Sequence, residues 1–477
     1  MLSSNIKSAA PVILNQRIGH PPGASWVLIT ALALTVLEGG IRKWIIGSES
    51  GLLSYLTYFS KDIVFGGILL LPRPERKGTV SRQFGDWLIL GCALVLFGAS
   101  ISASLGHINA VGTVLSIRAM VFLPVLAWLV LDRLSTLQLR YVAHLMALLA
   151  VCNFVLSVVQ NALPAGHVLN RYVVTNAEII TEHSGVRATG TFAYITGLSL
   201  MSSVGVWAGL VLFSVEAGKW MRALGALSLV AGFGCALASI SRAPLVVAAV
   251  LLIGWLLLSR STLPRLRSDL GLLAVLAGLF LVGGGAAKMR ALWNGVIARQ
   301  QVAGDSATER ALGQLSETWQ VIKTDPWGRG PGTEQIGGNY AASGLMSFTN
   351  YETQFPRIVM ETGVVGLVGF LTVCAGALVT LQRARAAARS AGDKDALLAT
   401  QLLLATLFYT NVVFNHTASA FAWMLFAAVL AGTSVSGTTT NSSVHVARQK
   451  TRRRFRRPGP SLGRGNDRRQ AGTSATA

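Results

Sequence analysis

Twelve apolar runs, joined by polar segments of which one is very long, set the terms for this chain. They lie at 24–45, 52–71, 86–104, 110–131, 141–161, 191–214, 223–239, 244–258, 270–287, 356–381, 396–414 and 418–434. About 20 apolar residues in helical form cross the hydrocarbon core of a bilayer. Only 13% of the residues are charged, against about 25% in soluble proteins. The reading is an all-α polytopic membrane protein with 12 spans. Strands are excluded, because an open sheet edge leaves backbone polar groups unsatisfied in lipid.

The polar segments give the orientation. With the N-terminus in the cytoplasm, the inner segments before the tail hold 17 Lys and Arg in 79 positions and the outer segments 9 in 115. That asymmetry follows the positive-inside rule and places both termini in the cytoplasm. Residues 1–23 carry no short apolar core with a small-residue cleavage site, so the first span reads as an uncleaved anchor. Spans one to nine then occupy 24–287 with a short outer loop at 162–190. A large outer loop fills 288–355, the last three spans fill 356–434, and a basic tail fills 435–477. The tail has ten Lys or Arg, among them Arg452, Arg453 and Arg454. It is expected to be disordered and suited to anionic inner-leaflet lipid. Nothing in it resembles a folded nucleic-acid module. No internal repeat is evident.

Cys92, Cys152, Cys235 and Cys374 all fall within apolar runs, so they read as packing residues and not as a disulfide or metal set. No metal or other cofactor is implied.

Outer-face chemistry concentrates in the two outer loops. The first ends in Glu178, Glu182, His183 and Arg187. In the second, Ser306 and Glu309 form a capping box. It precedes Leu312, Leu315, Trp319 and Ile322 at helical spacing, which predicts an amphipathic helix on the membrane or on the bundle. The Gly- and Pro-rich DPWGRGPGTEQIGGNY (325–340) that follows predicts an adaptable loop. Its backbone N–H groups suit a phosphate only weakly, since no GKS or GKT follows. Glu352, Arg357 and Glu361 then fall at the water boundary.

Charges at membrane depth point to function or to internal pairing. They are Glu38, Lys61, Asp62, Arg118 and Glu361. Glu38 and Arg42 stand at i and i+4, and the adjacent Lys61 and Asp62 suit separate partners. His416, at a short outer turn, reads as an interfacial histidine.

Six short motifs, LEGGIRKW (37–44), YFSKD (58–62), RATGTF (187–192), SRAP (241–244), DPWGRGPG (325–332) and METGVVG (360–366), occur in this order. Together they resemble the O-antigen ligase/polymerase superfamily of bacterial membrane proteins, over most of residues 37–430. The resemblance implies a helical fold related to the GT-C class. It implies a glycosyltransferase acting on the outer face of the inner membrane, with a saccharide on undecaprenyl diphosphate as donor. Polymerases of the family join repeat units; ligases pass the finished glycan to lipid A core. The ligases typically carry a His–Asn pair shortly before the Glu of the E-x-G turn, whereas here Glu352 and Thr353 stand there. The departure leaves the polymerase reading more open.

Transfer from a diphosphate lipid requires a grip on the leaving group, and the arginine fork supplies one. The candidates are Arg187, Arg310, Arg242 and Arg357, with Arg329 behind them. Glu352 is the candidate general base. Glu361, His183 and Arg118 are supporting candidates, Glu361 as the orienter of Arg357 or a helix cap. Expected partners are the lipid-linked glycan, a chain-length regulator and the flippase of the same pathway. The rival of a different class is a lipid-linked glycan flippase or other transporter, whose pathway Arg118 and Asp62 would line.

Overall fold

A computed structural model of the chain describes residues 23–47, 52–72, 79–106, 108, 110–134, 139–171, 186–216, 218–259, 290, 293–294, 297, 307–333, 354–388, 390–410, 413 and 415–434. Among the described residues every regular element is helical. Helix α1 (Gly23–Gly40) runs on as a π-helical turn (Ile41–Ile46), and α2 (Leu52–Gly67) closes in a 3-10 turn. Then come α3 (Thr79–Leu105), α4 (Ala110–Ile117), a second π turn (Arg118–Phe122) and α5 (Leu123–Leu131). The remainder are α6 (Leu139–Ala162), α7 (Ile195–Val215), α8 (Lys219–Ala238), α9 (Arg242–Leu258), α10 (Ala307–Thr324), α11 (Gln354–Ala387), α12 (Ala391–Thr410) and α13 (His416–Ser434).

Seven helical stretches are long and apolar enough to cross a membrane: Gly23–Ile46, Gln83–Leu105, Ala110–Leu131, Leu139–Ala162, Ile195–Val215, Lys219–Ala238 and Gln354–Ala387. The protein is thus an all-helical, polytopic membrane protein. Arg242–Leu258 and His416–Ala431 are apolar but shorter. The apolar run at 270–287 lies outside the described residues, as does the tail.

Two helices sit at the centre. Ile195–Val215 is buried almost all round, and from Ala418 to Ala431 every residue of α13 is buried. A helix apolar on all sides belongs inside a bundle. Trp207 and Trp423 fill this interior, and Trp207 Nε1 donates to Thr400 Oγ1 at 3.0 Å. Around them, small residues let backbones approach, as membrane helices do when lipid supplies no hydrophobic drive between them. On α3, a Cβ at Gly98 would stand 2.4 Å from the Thr362 carbonyl oxygen of α11. A leucine there would force the two helices apart. The cysteines follow suit in part: Cys92, Cys235 and Cys374 are buried and free, whereas Cys152 is exposed on α6.

One end of the bundle, hereafter the site face, gathers the last turns of α1, α3, α6, α8 and α12 with the first turns of α4, α7, α9, α11 and α13. The loop 186–194 seals it on one side, where a Cβ at Gly39 would lie 2.2 Å from Ala193 N. Helix α10 forms as its capping box predicts, with a different face inward. Gln314, Thr318 and Val321 are buried, and Gln314 Nε2 donates to Tyr409 O at 3.2 Å. Ile322 packs on the core, whereas Leu315 and Trp319 are exposed. The apolar stripe is therefore split between the bundle and the outside. The Leu312 side chain lies outside the described residues.

Candidate functional site

The site face is organised by the charged end of α1. Glu38 lies in the last α-helical turn, and the π turn that follows carries Arg42 and Lys43. Single π turns inside α-helices occur frequently at functional sites. Here the turn serves two partners. Arg42 reaches Glu38 Oε1 at 3.1 Å and Ser54 Oγ at 3.0 Å. Buried Lys43 donates to Thr189 Oγ1 at 2.9 Å and Gly190 O at 2.7 Å. Two of the six short motifs, LEGGIRKW and RATGTF, are thus one packing unit.

The RATGTF loop is held from α6. Gln160 Oε1 accepts from Thr189 N at 3.1 Å and Gly190 N at 2.8 Å, and Asn153 Oδ1 accepts from Thr191 N at 2.9 Å. These side chains satisfy backbone donors that no helix serves. Gly190, at φ 59°, makes the turn. The loop also binds the turn between α8 and α9, where Ala188 N donates to Ala238 O and Arg187 Nε to Ser239 O, both at 3.2 Å. Arg242 opens α9 three residues later. Arg187 and Arg242, which the sequence singled out separately, are brought to the same turn.

A second cluster surrounds Tyr58 on α2. Tyr58, Lys61 and Asp62 stand at i, i+3 and i+4, so they share one helix face. Lys61 Nζ meets Glu38 Oε2 at 2.5 Å. Asp62 holds Arg118 through two bonds, Nε–Oδ2 at 2.6 Å and Nη2–Oδ1 at 2.8 Å. This fork is the strong form of the charge-assisted bond. Around the Tyr58 ring stand Lys61 Nζ at 4.3 Å, Arg42 Cζ at 5.5 Å and Arg118 Cζ at 5.6 Å. The His416 ring meets it edge-on at 5.8 Å. Arg118 is the first residue of the second π turn, and His416 the first of the central helix α13. The pairings expected for Glu38 with Arg42, and for Lys61 and Asp62 with separate partners, are the ones observed. Asp62 and Arg118 neutralise each other across two helices.

The described part of the loop after α10, 325–333, is docked on the bundle, and 334–340 lie outside the described residues. Arg329 N donates to Met360 O at 2.5 Å, Gly328 N to Asp325 O at 3.0 Å and Val364 N to Pro326 O at 2.9 Å. Ser102 Oγ bonds Trp327 O, and Thr113 Oγ1 bonds Pro331 O at 2.8 Å. Of the loop's own N–H groups, Arg329 N is spent on the bundle and Gly328 N on the loop itself, so neither cradles a phosphate. Opposite the loop, α11 breaks its helical geometry at Gly363 (φ 67°, ψ −177°), a conformation essentially reserved to glycine. The break lies two residues past Glu361. Glu361 is fully buried and accepts from Ser116 Oγ, two residues before Arg118. It is enclosed by the bundle, where it ties α11 to α4.

Of the other candidates, Arg357 lies half-buried in the first turn of α11, and Arg329 is exposed and pairs with Asp325 at 2.9 Å. Arg310 falls on α10, but its side chain lies outside the described residues, as do Glu352 and His183 altogether. Among the described residues no group of three or more His, Cys, Asp or Glu stands together to hold a metal.

Two participants escaped the sequence reading. Tyr58 sat inside a recognised motif without a role, although its spacing to Lys61 and Asp62 was the available signal. His416 read as an interfacial residue because nothing local reveals that its helix is the central one.

Residues 227–371 match the family model described as O-Antigen ligase. No curated protein matches the chain. The matched stretch runs from α8 into α11 and holds the SRAP, DPWGRGPG and METGVVG motifs. Over that stretch, the resemblance of the chain to the O-antigen ligase/polymerase superfamily is shown.

Proposed function

We propose that the protein is a membrane polysaccharide polymerase of the O-antigen or exopolysaccharide type. It sits in the bacterial inner membrane with both termini in the cytoplasm and the site face toward the periplasm. It transfers a saccharide from undecaprenyl diphosphate to a growing glycan on the same kind of carrier. The observation that carries this reading is a convergence. At one end of the bundle the RATGTF loop binds Arg187 to the turn of the family-matched stretch that carries Arg242.

In the reaction, a hydroxyl oxygen of the acceptor sugar attacks the anomeric carbon of the donor. The bond from that carbon to the phosphate oxygen breaks, and the diphosphate leaves with the electron pair. Arg187 and Arg242 hold the leaving group through charge-assisted bonds, with Arg310 and Arg357 assisting. Glu352 takes the hydroxyl proton, while Glu361 and Arg118 hold the helices that frame the site. A metal is not required by this scheme, since arginines carry the diphosphate charge. A chain-length regulator and the pathway's flippase act alongside, and the basic tail rests on anionic inner-leaflet lipid.

The second reading, a ligase passing the glycan to lipid A core or another acceptor, is favoured by the description of the matching family model. The transporter reading needs Asp62 and Arg118 on a pathway, and their mutual pairing is compatible with that reading as well as with the enzyme. Deleting the gene and scoring glycans on a gel separates the first two. Single-repeat products indicate lost polymerisation, and full-length glycan left on the carrier indicates lost ligation. Arg187→Ala is expected to reproduce the deletion, with donor accumulating outside. Donor accumulating on the cytoplasmic leaflet would instead favour a transporter.

A further inference from the structure

We infer that the Tyr58 cluster is itself a binding site for a phosphate group, built by α1, α2, the α4–α5 turn and α13. None of its residues belongs to the matched stretch. The inference rests on the proposed function only for the identity of the lipid that bears the phosphate.

The argument is a count of donors and acceptors. Both oxygens of Glu38 are engaged, by Arg42 and by Lys61. Both oxygens of Asp62 are engaged by Arg118. Three groups on the same ring remain buried without a hydrogen-bond partner: Arg118 Nη1, the Tyr58 hydroxyl and His416 Nδ1. Arg118 as a residue is only 5% exposed. Buried polar atoms are rarely left so, and a guanidinium nitrogen least of all. The ring is also faced by three cations and only two carboxylates. A water molecule would satisfy one donor and leave the charge excess. A phosphate answers both, since several acceptor oxygens suit the arginine fork, the phenol and an imidazole N–H together. The Tyr58 and His416 residues stay partly accessible, which marks the side of entry. Two of the three cations, Arg42 and Arg118, stand on π turns, 41–46 and 118–122.

The test uses the full chain in phosphatidylcholine nanodiscs, with retained lipid read by native mass spectrometry. Three probes are offered separately: polyprenyl diphosphate without sugar, phosphatidylglycerol and inorganic diphosphate. Tyr58→Phe removes only the hydroxyl. The pair Asp62→Asn with Arg118→Gln removes the fork without stranding a buried charge. Arg383→Gln, bonded to Gln83 at 2.8 Å at the other end of the bundle, is the control. Wild type and control are expected to retain polyprenyl diphosphate, and Tyr58→Phe to retain about tenfold less, the loss expected of one hydrogen bond to a charged group. The paired variant is expected to lose more. Phosphatidylglycerol or inorganic diphosphate showing the same sensitivity keeps the phosphate site and reassigns its source. Wild type retaining none of the three probes, or both variants retaining them as wild type does, overturns the inference. Repeating the measurement in Arg187→Ala separates the two loci. Failure of glycan transfer with retention intact counts against the proposed function and not against this site.

Discussion

Two regions meet at the site face and are held by opposite means. The first, from α1, α2 and the α4–α5 turn, is held by charge: Glu38, Arg42, Lys61, Asp62 and Arg118 form bonds of 2.5–3.1 Å within the bundle. The second, the 325–333 loop against α3, α4 and α11, is held by backbone contact. There a Cβ at Gly106 would lie 1.9 Å from Arg329 O, and Arg329 N binds Met360 O. The difference has a physical consequence. A charge network tolerates loss of one member badly, because the partner is left buried and unpaired. A backbone interface is sensitive to added volume and indifferent to charge.

Four tests sharpen that contrast. Asp62→Asn strands the Arg118 guanidinium, so the protein should lose about 3–5 kcal/mol of stability, read as resistance to unfolding in detergent. Adding Arg118→Gln should recover part of the loss. Two single losses that simply add would break the account of a coupled pair. Gln160→Ala leaves the N–H groups of Thr189 and Gly190 without their acceptor, at a cost of about 2 kcal/mol or more. Hydrogen exchange should rise locally in the RATGTF loop, and unchanged protection would contradict the role given to Gln160. Gly363→Ala forces a Cβ onto a glycine-only backbone conformation, 2.9 Å from Trp327 O. It should cost roughly 1–3 kcal/mol and loosen the 325–333 loop, without disturbing the Tyr58 cluster. Arg329→Ala removes a solvent-exposed ion pair and should change stability by less than about 1 kcal/mol. A larger effect would mean that charge also matters in the backbone-held region.

How far the sequence spoke differs between the two regions in the same way. The helices were legible, because apolar runs at membrane length admit little else. The capping box of Ser306 and Glu309 announced α10 nearly to the residue. The i, i+4 pair of Glu38 and Arg42 was legible as a local spacing. The bond from Lys61 to Glu38 and the fork from Asp62 to Arg118 were legible only as unspecified partners, since residue separation carries no information about which helices are neighbours. Glu361 was legible as a charge at membrane depth, but its bond to Ser116 was not, for the same reason. The docking of DPWGRGPG was hidden for a related reason. Glycine permits both a free loop and a close backbone approach, and only the surfaces of α3 and α4 decide between them. His416 is the clearest case, because its importance follows from the centrality of α13, a property of the whole bundle.

The most direct test of the central claim uses the purified protein in proteoliposomes with a polyprenyl-diphosphate-linked oligosaccharide and no other protein. The account predicts a ladder of longer lipid-linked glycans with wild type and unchanged donor with Arg187→Ala. Unchanged donor with the folded wild-type protein, or the same ladder with Arg187→Ala, would contradict it.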